Sequence, residues 1–224
     1  MFPLRDLTLN LPPAASVLDV GCWDASFQRK AVAWGRMDLL HSGVDRETPP
    51  GVLPAGFHFR VAALDREALP FADESFDAVV QSHVLEHVPD PVRLIGEGLR
   101  VLKPGGLLYV ETPSERSLLF PSMPFSFEQS RSLNFYDDPT HLGRPQTPQS
   151  LHRTFVMFGA RVIDARRIVF PGVLLRSPWL LLRAVLTRDA ALLETTIWRA
   201  FGFAVYGIAR KDQGHERRYV LPVS

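Results

Sequence analysis

Three stretches carry side chains whose types and spacing suit chemistry. The first is Val17-Leu18-Asp19-Val20-Gly21-Cys22-Trp23-Asp24-Ala25-Ser26-Phe27, an apolar run followed by a glycine, a turn and the opening of a helix. A strand ending at Gly21 lets the main chain approach a ligand closely, and the N–H groups that open the next helix can face a polar group of a nucleotide-type ligand. The second is His83-Val84-Leu85-Glu86-His87, formally H-x-x-E-H, in which two imidazoles at i and i+4 would share one helix face and could hold a metal. The third, Phe135-Tyr136-Asp137-Asp138-Pro139-Thr140-His141-Leu142-Gly143-Arg144, gathers carboxylates, an imidazole, hydroxyls and a guanidinium beside aromatics. His141 is chemically suited to take a hydroxyl proton, with Asp138 to orient it. The alternative is that residues 138–140 merely form a turn and His141 plugs a loop.

These residues need elements to place them. Apolar runs at 17–20, 39–45, 57–64, 76–81 and 107–111 read as strands, and 27–34 and 91–102 as helices. Val92, Ile95, Leu99 and Leu102 recur at helical spacing until Pro104-Gly105-Gly106 stops the run. Strands alternating with helices predict βαβ units and a mainly parallel sheet, with ligands beyond the carboxyl ends of the strands. Asp45, at the end of the second strand, is then either a ribose acceptor or a solvated turn aspartate beside Arg46. Residues 112–148 form a long loop rich in Pro, Ser and Phe, whose aromatics Phe120, Phe125, Phe127, Phe135 and Tyr136 argue for an ordered lid. Beyond it come a helix at 147–158, a strand at 161–170, a helix at 180–198 and a last strand at 201–210. Residues 1–15 read as a lead-in and the segment from 211 as a polar tail.

Residues 64–79, Leu64-Asp65-Arg66-Glu67-Ala68-Leu69-Pro70-Phe71-Ala72-Asp73-Glu74-Ser75-Phe76-Asp77-Ala78-Val79, closely resemble the class I S-adenosylmethionine-dependent methyltransferases, as does Lys103-Pro104-Gly105-Gly106 in its place. The resemblance runs from about residue 17 to residue 113. It implies an α/β Rossmann-like fold with a central, mostly parallel seven-stranded sheet flanked by helices, the last strand antiparallel. It implies S-adenosylmethionine as cofactor, with Asp19, Gly21 and Cys22 in the donor loop and Asp45 on the ribose hydroxyls. Leu64 would pack on the adenine, Asp65 would accept from its amino group, and Ser82 would touch the cofactor through its main chain. Two positions depart from the family pattern: Trp23 and Ala25 stand where it has glycines, and Trp23 narrows the space over the loop. A non-catalytic fold acting as a binding or scaffold subunit is the reading from a different class; the presence of Asp45 and Asp65 argues against it.

Glu86-His87-Val88-Pro89-Asp90 is also how the family continues, so His83, Glu86 and His87 are expected to pack on the cofactor side, with no metal. Some quinone-pathway members use this cluster for a divalent metal, which is the alternative. The Asp138-Pro139-Thr140-His141 segment resembles that of bacterial methyltransferases of polysaccharide and O-antigen work. The expected acceptor is therefore a hydroxyl of a glycan, glycolipid or other small molecule, with a quinone or lipid acceptor as the alternative.

Composition bounds the rest. The 224 residues, 46% hydrophobic, fit one α/β domain over 1–224, with the lid at 112–148 and a helical insertion at about 177–200. A net charge of +1 gives no reason to expect a nucleic-acid partner. One cysteine and the absence of a basic-then-apolar leader in Met1-Phe2-Pro3-Leu4-Arg5-Asp6 lead to an expected cytoplasmic protein. Residues 161–188 hold Arg161, Arg166, Arg167, Arg176, Arg183 and Arg188 against Asp164 alone, interleaved with Leu174, Leu175 and Trp179. That mixture suits contact with the inner face of a membrane or a lipid-linked acceptor. Burial against the domain or in a homodimer is the more general expectation.

Overall fold

The computed structural model describes residues 2–49, 51–124 and 131–212. Phe125 and Phe127 of the expected lid, and the tail beyond Asp212, lie outside the described residues. The strands are β1 (Ser16–Val20), β2 (Leu40–Asp45), β3 (His58–Val61), β4 (Phe76–Ser82), β5 (Leu102–Pro113), β6 (Arg161–Arg167) and β7 (Ala204–Arg210). They form one sheet in the order β3-β2-β1-β4-β5-β7-β6. Pairing is parallel from β3 through β5, and β7 runs antiparallel to both its neighbours. The mostly parallel seven-stranded α/β sheet with a reversed last strand is the one expected.

The helices are α1 (Pro3–Leu9), α2 (Ser26–Ala33), α3 (Pro91–Val101), α4 (Pro148–Met157), α5 (Pro171–Thr187) and α6 (Ala190–Phe201). Alternation along each strand assigns side chains to the two sheet faces. Leu18, Val20, Val79, Leu108 and Val110 meet Leu94, Ile95 and Leu99 of α3 and Leu151 and Phe155 of α4. Val17, Ala78, Val80 and Tyr109 meet Leu7 of α1 with Phe27 and Ala31 of α2. The same alternation places Asp19 and Glu111 on the α1/α2 side. A third cluster joins Leu133 of the long loop to Ala184 of α5 and to Leu193 and Ile197 of α6.

Several elements differ from the sequence expectation. The lead-in contains a helix, α1, started by Pro3 in its first turn. The helix expected at 180–198 is two helices, α5 and α6. They break at Arg188, whose φ is +53°, and Asp189 caps α6 by accepting from the Leu192 N–H at 2.9 Å. Pro178 lies inside α5 and leaves the Leu174 carbonyl without its usual donor, and the Ser177 hydroxyl fills that place at 2.8 Å. β3 ends at Val61 rather than at residue 64. There Arg93 of α3 gathers the chain into a turn, donating to the carbonyls of Leu64 and Glu67. β6 stops at Arg167, because Phe170 already caps α5 and Pro171 begins it.

Candidate active site

Strand order reverses between β1 and β4, and in open α/β sheets the crevice at such a switch point receives ligands. A cavity of about 550 Å3 opens there, lined among others by Gly21, Trp23, Asp45, Leu64, Asp65 and His83. Gly21 has φ +75°, and a Cβ on it would stand 2.7 Å from Cγ2 of Val84. No side chain fits without displacing that wall. The turn continues with Trp23 at φ +42° and Ala25 at φ +60°, a region that costs a residue with a side chain about 1–2 kcal/mol. Trp23 is 58% exposed, so it walls the open cavity and does not plug its floor.

Asp45 holds this turn. Its Oδ2 accepts from the Trp23 N–H at 2.8 Å and its Oδ1 from the Arg46 N–H at 2.7 Å. Each oxygen keeps a further lone pair for a ligand hydroxyl. Leu64 is buried and Asp65 exposed, so the same cavity offers an apolar surface beside a carboxylate. Asp19, Cys22 and Ser82 stand outside the lining. Burial raises the Asp19 carboxyl to about 7, against the pull of Lys30 and with the help of Asp45 and Asp24. Burial likewise pushes the Cys22 thiol up, which keeps it a neutral packing group.

A second cavity, of about 710 Å3, opens on the α1/α2 side, with Lys30, Trp34, Tyr109, Phe170 and Trp198 among its lining. His83 lines both cavities. Its φ is +54°, a strained value for a residue with a side chain and one that recurs at functional positions. Its Nδ1 lies 3.1 Å from Oε1 of Glu86 and its Nε2 3.4 Å from Oε1 of Glu111. The ring stacks on Trp198 at 6.1 Å, and the Trp198 indole donates to the Ser132 carbonyl at 3.0 Å. Glu86 also accepts from the Thr112 hydroxyl at 3.0 Å, and Glu111 from the Tyr109 hydroxyl.

Burial disfavours a charged imidazole here, yet hydrogen bonds to Glu111 and Glu86 outweigh it and raise His83 to about 10. Burial also raises both carboxyls, and the hydrogen bonds from His83 outweigh it and keep each below its ordinary value. One imidazolium thus sits between two carboxylates where the cavities meet. Nothing in the sequence singles out Glu111, Tyr109, Lys30 or Trp198. Tyr109 and Glu111 on one face of a strand were the only local signal, and Trp198 arrives from a distant helix.

The H-x-x-E-H stretch is not a helix: residues Leu85–His87 make a single short turn. Its two imidazoles therefore face different partners, His83 toward Glu111 and His87 toward the Thr140 hydroxyl at 3.0 Å. Ligand atoms of Glu86, His87 and His141 lie within 4.8 Å of one another, a spacing a metal could span. Nδ1 of His141 lies 2.6 Å from the Phe135 carbonyl, which makes it the donor and leaves the lone pair on Nε2. Asp138 is 3.8 Å from that Nε2, too far for a hydrogen bond, and accepts instead from the Thr140 N–H and hydroxyl at 2.8 and 2.6 Å. Thr140 and Leu142 line the smaller cavity, whereas Asp138 and His141 stand outside both linings.

Residues 18–110 match the methyltransferase domain family. Over 105 residues the chain is 39% identical to an uncharacterized methyltransferase of Mycobacterium sp. (strain KMS), covering 45% of this chain and 39% of that relative. The chain thus spans about two fifths of the length of such mycobacterial relatives. Over 174 residues it is 32% identical to a ubiquinone biosynthesis O-methyltransferase of Cereibacter sphaeroides, covering 75% of this chain and 70% of the relative. Among solved structures, a SAM dependent methyltransferase from Archaeoglobus fulgidus is alike with a TM-score of 0.61 and 22% identity, covering 93% of this chain and 91% of that one. At that identity the likeness is one of fold.

Proposed function

The chain belongs to the class I S-adenosylmethionine-dependent methyltransferases, and we propose that it methylates a hydroxyl on a flat ring of the phenol or hydroquinone class. The observation that carries this reading is the Glu86–His83–Glu111 array, standing where the switch-point cavity meets one walled by Trp34, Tyr109, Phe170 and Trp198.

S-adenosylmethionine suits the smaller cavity. The free lone pairs of Asp45 match a ribose hydroxyl pair, and Leu64 with Asp65 matches the adenine ring and its amino group. When bound it supplies a methyl group on a positively charged sulfur, which an acceptor oxygen displaces in line. The protein's share is to hold that oxygen in line and to receive its proton. The aromatic walls of the larger cavity give flat apolar surfaces for a ring. With His83 protonated, the array carries one net negative charge and has room for a proton. In that transfer a carboxylate oxygen of Glu111 would take the proton that the acceptor hydroxyl gives up, while His83 stays protonated between the two carboxylates. Thr140 and Leu142, from the connection between β5 and α4, stand on the cofactor side as parts of the lid. The relative that acts in ubiquinone biosynthesis, an O-methyltransferase by name, supports the same acceptor class.

A glycan hydroxyl is the second reading. Arg5, Glu194 and Arg199 also line the larger cavity and would suit the several hydroxyls of a sugar. The test is incubation with methyl-labelled S-adenosylmethionine and two acceptor panels, one of catechols and hydroquinones and one of glycans and glycolipids. Label on a phenolic oxygen is the expected result. Label confined to the glycan panel would replace the first reading by the second. Absence of S-adenosylmethionine binding by calorimetry would end both and leave the non-catalytic fold.

A further inference from the structure

Leu175, Trp179, Leu182 and Leu186 of α5 recur at intervals of four, three and four residues, so they form one stripe along the helix. They are 84%, 63%, 58% and 74% exposed. On the opposite side Ser177 and Ala184 are buried, and Ala184 packs with Leu193 and Ile197 of α6. α5 therefore has two apolar sides, of which only the inner one is used by the fold. Leu174 and Val185 widen the outer one, at 43% and 57% exposed. A contiguous patch of this kind on a protein surface marks a contact with something apolar.

Charge identifies the occupant. Arg176 and Arg183 lie seven residues apart on one flank of the stripe, and α5 contains no acidic residue. Among the described residues neither arginine pairs with a carboxylate. A second copy meeting this face through a two-fold axis would bring two more arginines and no acid from its own α5. An anionic lipid surface complements both features, taking leucines and a tryptophan into the acyl boundary and the guanidiniums at the headgroups. No helix among the described residues is long and apolar enough to cross a membrane, so α5 would lie in the plane of the surface. Ser177 keeps the helix continuous past Pro178 by satisfying the Leu174 carbonyl, so the stripe is not interrupted.

We propose that the outer face of α5 seats the protein on an anionic membrane surface through Leu175, Trp179, Leu182 and Leu186, with Arg176 and Arg183 on the headgroups. The contact does not depend on the proposed reaction. It has a bearing on it, because Phe170, which caps α5, lines the larger cavity; an apolar acceptor would leave the lipid beside that opening.

Flotation of the full chain with phosphatidylcholine vesicles, with and without phosphatidylglycerol, tests this. Two double variants are compared, Arg176→Glu with Arg183→Glu and Leu175→Ser with Leu182→Ser, each checked for the wild-type circular dichroism spectrum. The wild type should float only with phosphatidylglycerol, and each double variant should bind at least about tenfold more weakly. Tryptophan emission should shift to the blue on binding, and Trp179→Phe should remove that shift. If the leucine pair fails to fold, the arginine pair and Trp179→Phe still decide. No flotation of the wild type, or flotation undiminished by charge reversal, overturns the proposal. So does a dimer in sedimentation that Leu182→Glu dissociates without any vesicle binding, which gives the face to a second copy.

Discussion

The main-chain N–H of Trp23 donates to Oδ2 of Asp45 at 2.8 Å, so the carboxylate ending the second strand fixes the turn that follows the first. Asp45 is thus an anchor for the protein's own loop and, in the function proposed above, the group that meets the ribose hydroxyls. Hydrogen bonds to a charged acceptor contribute about 1.5–3 kcal/mol each. Asp45→Ala should lower the melting temperature and weaken S-adenosylmethionine binding at least tenfold by calorimetry. Asp65→Ala should weaken binding with the melting temperature unchanged, since Asp65 is exposed. Equal binding by both variants and the wild type would remove the cofactor from this cavity.

Ala25 at φ +60° offers a cleaner test of the turn. Ala25→Gly relieves a left-handed alanine and should stabilise the fold by about 1 kcal/mol, or about 2–4 °C in a thermal melt. Trp23→Gly should act in the same direction and widen the cavity mouth, leaving cofactor affinity equal or higher. Loss of affinity on that change would mean that the indole itself holds the ligand.

His83 and Glu111 should matter to turnover far more than to cofactor binding. His83→Asn and Glu111→Gln are each expected to lower kcat by about 100-fold or more while S-adenosylmethionine affinity stays within a few-fold. His141→Ala should change kcat little, because its ring lies outside both cavity linings. The reverse pattern would make His141 the proton acceptor.

Two buried groups oppose each other in acid. Among the described residues neither ring nitrogen of His41 has a hydrogen-bond partner, and burial lowers the imidazole to about 4 from 6.5. Unfolded chains then bind more protons than folded ones between pH 4 and 6.5, so this group makes stability rise with pH. Asp19, raised from 3.8 to about 7, binds its proton more readily when folded and makes stability fall with pH over an overlapping window. The wild type should show a flattened profile there in urea unfolding. His41→Leu should leave stability falling as pH rises from 4 to 7, and Asp19→Asn should leave it rising. At the alkaline end His83 contributes stability fully below 6.5 and loses it as pH climbs through about 10.

Much of this is legible along the chain, because strands buried on both faces are short apolar runs and residues that line the switch-point cavity follow them. Gly21, Asp45, Leu64 and Asp65 come from three separate strand ends and line one cavity. The second cavity was not legible, since its walls come from α1, α2, β5, α6 and the segment before α5, and only the folded sheet brings Trp198 to His83. The H-x-x-E-H spacing misled in a specific way: it assumes a helix, and the chain at Leu85–His87 makes only one turn. The two helices at the insertion merged in the sequence because Arg188 in a left-handed conformation leaves no compositional mark of the kind a glycine would.

One imidazole, His83, forms part of the wall of two cavities. A molecule in one cavity that tilted this shared ring or changed its charge would alter the surface that a molecule meets in the other. Any gain in affinity that the first confers on the second is returned in equal measure, as thermodynamic reciprocity demands. The order of arrival then governs rates alone, and the doubly occupied state has one free energy by either route.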